Sequence, residues 1–531
     1  MMFLSLLITA GLTLLNPVQT SSFPNGKIEG IWQGTLKFSG IELRIIFSIS
    51  RASDNTLKAT YDVPEQNAID IPVDEITFNN REVRLEIIPI EGVFEGKLSE
   101  DGEKIDGKWI QSGMTLPLVL ERSQTKLEIK RPQEPKEPYP YIAEEVVFKN
   151  IEAGIRLAGT LTLPLSEGTF PAVLLLSGSG AQDRDESVFG HRPFLVLADY
   201  LTRRGIAVLR VDDRGIGGSA GDFDKVTALD FASDAMAGVA YLKNRKEIDH
   251  GWIGLAGHSE GGMIAPMVAS QSSGIAFIVL IASPGLAIKQ MEFFEEARAL
   301  KANGASDNLI ARNRAVQERL FAVINRETDS QVVKEKFTSI IKEFFKGLNE
   351  QEKKIMGISE KNLDVHIQEK FRRLHSPWFR FYLNYDPGIV LKKTSCPVLA
   401  VNGEKDVQVT PKENLEAIKN ALEAGGNKNY TIKELPGLNH LLQTAETGNI
   451  SEYGKIEETM SPFAMQIIGD WILKQVKRSR QPKFVCRFPC LECGEHRISP
   501  ISDRPREEAP RNPPPMDFRI RRQLPFREKR P

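Results

Sequence analysis

The sequence predicts a chain in two parts: a small all-β domain, then an α/β unit with a parallel sheet covered on both faces and interrupted by a helical insertion. Three observations carry this. Residues 27–122 alternate polar and apolar side chains, with turn residues about every ten positions, as in a sandwich or small barrel. From residue 144 short, nearly continuous apolar runs alternate with amphipathic helices, the pattern of strands buried on both faces. Between Pro284 and Asp386 that rhythm gives way to charged helical segments, and it resumes at Cys396.

The whole-chain numbers fit a globular protein. The chain has 531 residues and a formal net charge of −1, so no global charge points to nucleic acid. Cys396, Cys486, Cys490 and Cys493 are the four cysteines, too few and too clustered for a disulfide-built fold.

Residues 1–15 (MMFLSLLITAGLTLL) are apolar and residues 16–25 are polar and small, the pattern of a secretory signal ending near residue 22. No basic residue precedes the apolar run. The run is short for a membrane span, so the expectation is an exported protein, periplasmic or extracellular, without stable membrane insertion.

Strand patterns in the β-rich domain (27–122) are Ile31–Phe38, Ile41–Ile49, Val83–Ile87, Gly92–Leu98, Lys104–Trp109 and Leu116–Leu120. Trp32 and Trp109 are expected in its core. Gly30-x-Trp32 resembles the head of lipocalin-like barrels, on three residues only. Residues 123–140 hold four prolines among charges and read as an extended linker between two folding units.

The α/β domain (141–476) opens with a strand pair, 144–150 and 155–163. A buried strand follows at 171–177, a helix at 194–204, a strand at 206–211 and a helix at 226–245. Residues 252–262 (WIGLAGHSEGG) then run from strand through G-x-S-x-G into a helix. That is a nucleophile elbow: a tight, strained turn lifts the Ser259 hydroxyl above the sheet edge, at the positive end of the next helix. Gly257 and Gly261 are small because a side chain there would meet the neighbouring strand or helix. A strand at 275–282 follows.

The insertion, about 285–386, carries helix patterns at 289–303, 305–325, 330–348 and 362–374 and sits where a cap would cover the site. Phe293, Phe294, Trp378 and Phe381 are the aromatics that could face substrate, with core packing an equal reading for each. The many glutamates of this segment read as ordinary helix-surface charge. Beyond it come a strand at 396–402, a helix at 411–423, a strand at 430–435 and a last helix at 461–475.

A serine hydroxyl needs a base in contact and a carboxylate to orient that base. In an α/β-hydrolase fold the acid follows the strand after any cap, and the histidine follows the next strand. Glu404 and Asp406 compete for the acid. Asp406 is chosen, because two residues of turn after Gly403 bring its side chain back over the strand ends. His440 then supplies the base, and the order Ser259, Asp406, His440 is the one the fold requires. His258 flanks the nucleophile, but its side chain leaves the turn in the wrong direction, so it reads as packing. The oxyanion hole is expected from the N–H groups of Glu260 and of the glycine-rich loop after residue 177, at Ser179 with Gly180 next. Asp183, Arg184 and Asp185 read as pins for that loop. Residues 212–219 (DDRGIGGS) lack the spacing of a phosphate loop and read as a structural turn.

Six motifs now stand in order: 177–186 (SGSGAQDRDE), 192–201 (RPFLVLADYL), 212–219, 257–262 (GHSEGG), 402–406 (NGEKD) and 437–440 (GLNH). Together they resemble the bacterial carboxylesterases related to dienelactone hydrolases, several of which carry a β-rich N-terminal domain. The resemblance covers about residues 140–475. It implies hydrolysis of short-chain carboxylic esters, a small-molecule ester as partner, and no metal or organic cofactor. A serine aminopeptidase or acyltransferase on the same fold is the alternative. A binding protein using the β-domain is the non-enzymatic one, against which the ordered triad argues.

Residues 477–531 hold 15 Lys and Arg against 7 Asp and Glu, with ten prolines, the composition of a disordered tail. Cys486, Cys490, Cys493 and His496 are its one possible metal set, tightly spaced and without evident supporting groups.

Overall fold

A computed structural model describes residues 27–38, 41–66, 68–111, 114–126 and 130–480. The expected signal segment, the cysteine cluster and the basic tail beyond residue 480 therefore lie outside the described residues. Among the described residues no helix is long and apolar enough to cross a membrane.

The first part is one antiparallel sheet of nine strands: β1 (Gly30–Phe38), β2 (Ile41–Arg51), β3 (Leu57–Val63), β4 (Ala68–Pro72), β5 (Glu75–Asn79), β6 (Glu82–Ile87), β7 (Gly92–Leu98), β8 (Lys104–Gln111) and β9 (Met114–Ser123). Their order is β4-β3-β2-β1-β9-β8-β7-β6-β5. The two ends of the sheet are neighbours in sequence. Val73 N–H donates to Ala59 of β3 at 3.0 Å and Asp74 N–H to Glu86 of β6 at 2.9 Å, so two consecutive residues tie both edges. The sheet curls around one core in which Trp32, Phe47 and Phe94 are fully buried, and Tyr61 stacks on Trp109 at 5.4 Å. Trp32 and Trp109 are core residues, as expected. Strands β3 to β5 were not expected: they are short, and their inward residues include Ala59 and Tyr61 among charged neighbours, which mutes the alternation.

The segment expected to be a separating linker is instead docked. The Arg131 guanidinium donates to the carbonyls of Gly190 (2.9 Å), Ile456 (2.9 Å), Phe189 (3.1 Å) and Gly454 (3.1 Å). Gln133 bonds Thr459 and Met460, and Glu134 pairs with Arg192. Proline content predicts extended backbone correctly but says nothing of partners far along the chain.

The second part is an eight-stranded sheet: β10 (Ile142–Asn150), β11 (Ile155–Leu163), β12 (Phe170–Leu176), β13 (Ala207–Val211), β14 (Ile248–His258), β15 (Ile278–Ile281), β16 (Val398–Gly403) and β17 (Tyr430–Leu435). The order is β10-β11-β13-β12-β14-β15-β16-β17, antiparallel at β10/β11 and β11/β13 and parallel from there on. Successive residues of β12 feed opposite faces. Ala172, Leu174 and Leu176 pack with α2 (Ala228–Lys243), α3 (Glu260–Gln271) and α11 (Pro411–Ala424), while Val173 and Leu175 pack with α1 (Pro193–Arg203) and α13 (Pro462–Arg480). This is the α/β-hydrolase fold, with the elbow at the end of a central strand. The last helix runs to Arg480, past the expected end at residue 475.

The insertion is a helical cap with a core of its own. It comprises α4 (Ile288–Ala302), α5 (Asp307–Arg326), α6 (Ser330–Lys346), α7 (Glu350–Met356), α8 (Leu363–His375) and α9 (Pro377–Leu383), followed by α10 (Pro387–Leu391). Leu320, Phe337 and Phe379 are fully buried in it. A short helix, α12 (Ile450–Tyr453), precedes α13.

Candidate active site

The elbow is strained as the motif requires. Ser259 has φ 51°, ψ −114°, between the end of β14 and the start of α3. A Cβ at Gly257 would lie 2.1 Å from Gly261 backbone, and one at Gly261 2.0 Å from the Leu176 carbonyl. Ser259 N–H donates to the Ile281 carbonyl at 2.8 Å, which anchors the turn to β15.

Asp406 and His440 meet across the loops after β16 and β17. His440 Nδ1 lies 2.7 Å from Asp406 Oδ2, and both residues are buried. The other Asp406 oxygen accepts the N–H groups of Gln408 and Val409, each at 2.8 Å, which fixes the carboxylate plane. Gly403 lets the two loops cross, since a Cβ there would sit 2.2 Å from the Leu438 carbonyl. Glu404, the competing acid, is exposed and accepts from Gly437 N–H at 2.9 Å, away from the histidine. Among the described residues no hydrogen bond joins Ser259 Oγ to His440. Such contacts are commonly long before substrate binds.

Ser179 is exposed and Gly180 has φ +107°. The N–H of the preceding residue, Gly178, is taken by Glu186 Oε1 at 2.6 Å, so it does not face a substrate. Among the described residues neither Ser179 N–H nor Glu260 N–H has an acceptor, as a waiting oxyanion hole requires. The loop is pinned by its charged residues. Arg184 grips both oxygens of Asp212 (3.0 and 2.7 Å), Asp185 pairs with Arg210, and Asp183 accepts Ser187 O–H at 2.6 Å. The 212–219 stretch is a turn, with Asp212 also accepting Gly218 N–H at 2.9 Å.

Sequence reasoning gave no polar role here to the side chains of His258, Glu186 and Glu260. His258 does pack, but through polar contacts: Nδ1 is 2.8 Å from Glu186 Oε1 and Nε2 is 3.1 Å from the His440 carbonyl. Burial opposes charge on His258, yet the Glu186 carboxylate outweighs it and the group is held above the usual histidine range. Glu260 contributes more than its N–H. Burial raises its carboxyl to about 7, against hydrogen bonds from Trp378 Nε1 (2.7 Å) and the Ser179 side chain. Trp378 stacks on Tyr382 at 4.7 Å, so one indole ties the cap to the Glu260 carboxyl. Of the other cap aromatics, Phe293 is in the cap core, Phe381 packs on the sheet-side core and Phe294 is exposed.

Most cap glutamates are surface charge as expected, but Glu292, Glu295 and Glu296 of α4 are not. Arg373 holds both oxygens of Glu292 (2.9 and 3.0 Å), and Glu296 accepts from Asn313 and Gln317. Glu295 is raised to about 8 by burial and then by neighbouring Glu292, with Asp406 also in electrostatic reach. The period of a helix shows which residues share a face, but not that the face meets a catalytic loop. Among the described residues no cluster could hold a metal ion.

The family model of the X-Pro dipeptidyl-peptidase (S15 family) matches residues 153–433, more than half of the chain. The chain belongs to this family. Esterase EstD of Thermotoga maritima is 25% identical to this S15-family chain over 290 residues, which is 55% of the chain and 59% of the esterase. The chain thus spans less than two thirds of that relative's length. Among solved structures, an alpha/beta hydrolase from Penicillium sp. sh18 aligns with 18% identity and a TM-score of 0.39, covering 64% of this chain and 98% of that one. An esterase of Pyrococcus furiosus aligns with 17% identity and a TM-score of 0.39, covering 67% and 99%.

Proposed function

We propose that the chain is a serine hydrolase that cleaves carboxylic esters through an acyl-enzyme on Ser259. The observation that carries this is the buried 2.7 Å contact between His440 Nδ1 and Asp406 Oδ2, on the loops that follow β16 and β17 beside the elbow. Ser259 Oγ attacks the ester carbonyl while His440 Nε2 takes its proton. Asp406 holds the imidazole in the required tautomer and stabilises the imidazolium. The N–H groups of Ser179 and Glu260 receive the developing oxyanion. His440 then protonates the departing alcohol, and water, activated by the same histidine, releases the acid. Export rests on residues 1–22 alone, and fractionation of expressing cells tests it.

A second reading, an aminopeptidase, is favoured by the half-buried Glu295 and Glu292 and by the family's name. A half-buried carboxyl within electrostatic reach of Asp406 suits a substrate ammonium, which would hold it ionised. A panel of nitrophenyl esters and aminoacyl amides, run on wild type and Ser259→Ala, separates the readings. Ester turnover lost in the variant supports the proposal. Amide turnover exceeding ester turnover selects the peptidase, and turnover that survives the substitution removes Ser259 from either.

A further inference from the structure

The histidine beside the nucleophile has an unusual set of neighbours. Both its ring nitrogens face acceptors: Nδ1 faces Glu186 Oε1 at 2.8 Å, and Nε2 faces the backbone carbonyl of His440 at 3.1 Å. A neutral imidazole carries one proton and can satisfy only one of them as a donor. A carbonyl cannot supply the missing proton. Glu186 could do so only from Oε1, and that oxygen already accepts Gly178 N–H at 2.6 Å. A carboxylate oxygen accepting two bonds is the better description. Both residues are buried, so an unpaired ion here would be costly and a pair is required.

We propose that His258 is an imidazolium across the working pH range and that, with Glu186, it is a positioning pair for the oxyanion loop and the catalytic histidine. The pair touches the backbone of all three working parts, at the working residue or the one before it. Glu186 holds Gly178, which precedes Ser179. His258 itself precedes Ser259. Its Nε2–H holds the carbonyl of His440, and the two rings lie 4.8 Å apart, tilted by 52°.

The pair also sets the field at the base. The charged groups facing His258 are Glu186 from the loop after β12, Asp406 from the loop after β16 and His440 from the loop after β17, with Asp213 beyond Glu186. When His440 gains a proton, Asp406 and Glu186 favour it and His258 opposes it. Removing the His258 charge alone leaves two carboxylates facing His440, which favours its charged form. Removing both charges restores the balance. The catalytic consequence rests on the serine-hydrolase reading, whereas the protonation state does not.

Two measurements test this. The first is ring ¹⁵N and N–H NMR of ¹⁵N-histidine protein carrying Ser259→Ala, at pH 8. One of the seven histidines should show two ring protons, and that signal should disappear in His258→Gln and persist in His440→Gln. All histidines singly protonated at pH 8 would overturn the proposal, whatever the activity. The second is the pH profile of kcat/KM for a nitrophenyl ester. His258→Gln should move the acid limb up by about one pH unit, with a lower kcat and little change in KM, and Glu186→Gln with His258→Gln should bring the limb back. An unshifted limb in a folded His258→Gln enzyme would reject the field effect. If that variant does not fold, the NMR result on the Ser259→Ala protein decides.

Discussion

The floor of the site and its roof treat buried charge differently. On the floor every carboxylate is met by fixed donors. Asp406 takes two backbone N–H groups and His440, Glu186 takes Gly178 and His258, and Asp212 takes Arg184 and Gly218. On the roof only Glu296 is met in that way, by Asn313 and Gln317, while Glu292 leans on one long arginine and Glu295 is pushed to about 8 by burial and its neighbour. The seam is Glu260, part of the floor by its backbone and tied to the roof by Trp378. The difference teaches which part of the site is preorganised and which can yield. A preorganised floor costs no rearrangement as charge develops on the substrate, whereas a roof held by few contacts can change its selectivity without disturbing the chemistry.

The comparison breaks first at Asp406. Asp406→Asn should lower kcat about 10⁴-fold by favouring the wrong tautomer, while Glu404→Gln stays within about twofold, since exposed changes remote from the reacting atoms do little. Equal losses in the two variants would refute the assignment of the acid. Next is the elbow itself. A methyl at Gly261 would collide with the Leu176 carbonyl, so Gly261→Ala should cost about 3–4 kcal/mol by denaturant titration. A loss under 1 kcal/mol would mean the turn is not as tight as described.

The seam gives a pH signature. The Glu260 carboxyl lies at about 7 in the folded chain, above its ordinary 4.5. The folded state therefore holds the proton more tightly than the unfolded chain, and this group's contribution falls as pH rises from about 4.5 to 7. Glu260→Gln should be close to neutral at pH 4.5 and stabilising by up to about 3 kcal/mol at pH 8. The opposite trend would place a cation near Glu260. Smallest is the roof contact. Trp378→Phe removes one hydrogen bond to that carboxylate and should cost about 1–2 kcal/mol at pH 8 and less at pH 5.

Much of the floor could be read from sequence because its signals are local. The run from Trp252 to Gly262 contains strand, turn and helix, and residues 402–406 and 437–440 each follow a strand that their own apolar residues announce. His258 and Glu186 are 72 residues apart, and no spacing links them. Arg131 was hidden for the same reason: its carbonyl partners lie 58 to 325 residues away. The cap helices were visible by periodicity. The burial of Glu295 was not, because it depends on how one helix lies over the catalytic loops. The sheet domain lost three strands to weak alternation, as in Leu57–Val63 (LKATYDV), whose inward positions include a small residue and a tyrosine.

The central claim is that Ser259 is a nucleophile activated by His440 and Asp406. A fluorophosphonate that reacts only with activated serines, followed by peptide mass mapping, tests it without knowledge of the substrate. One adduct on the peptide containing Ser259, absent from Ser259→Ala and strongly slowed in His440→Ala, is the predicted result. No adduct on the folded wild-type chain, or one that persists in Ser259→Ala, would contradict it.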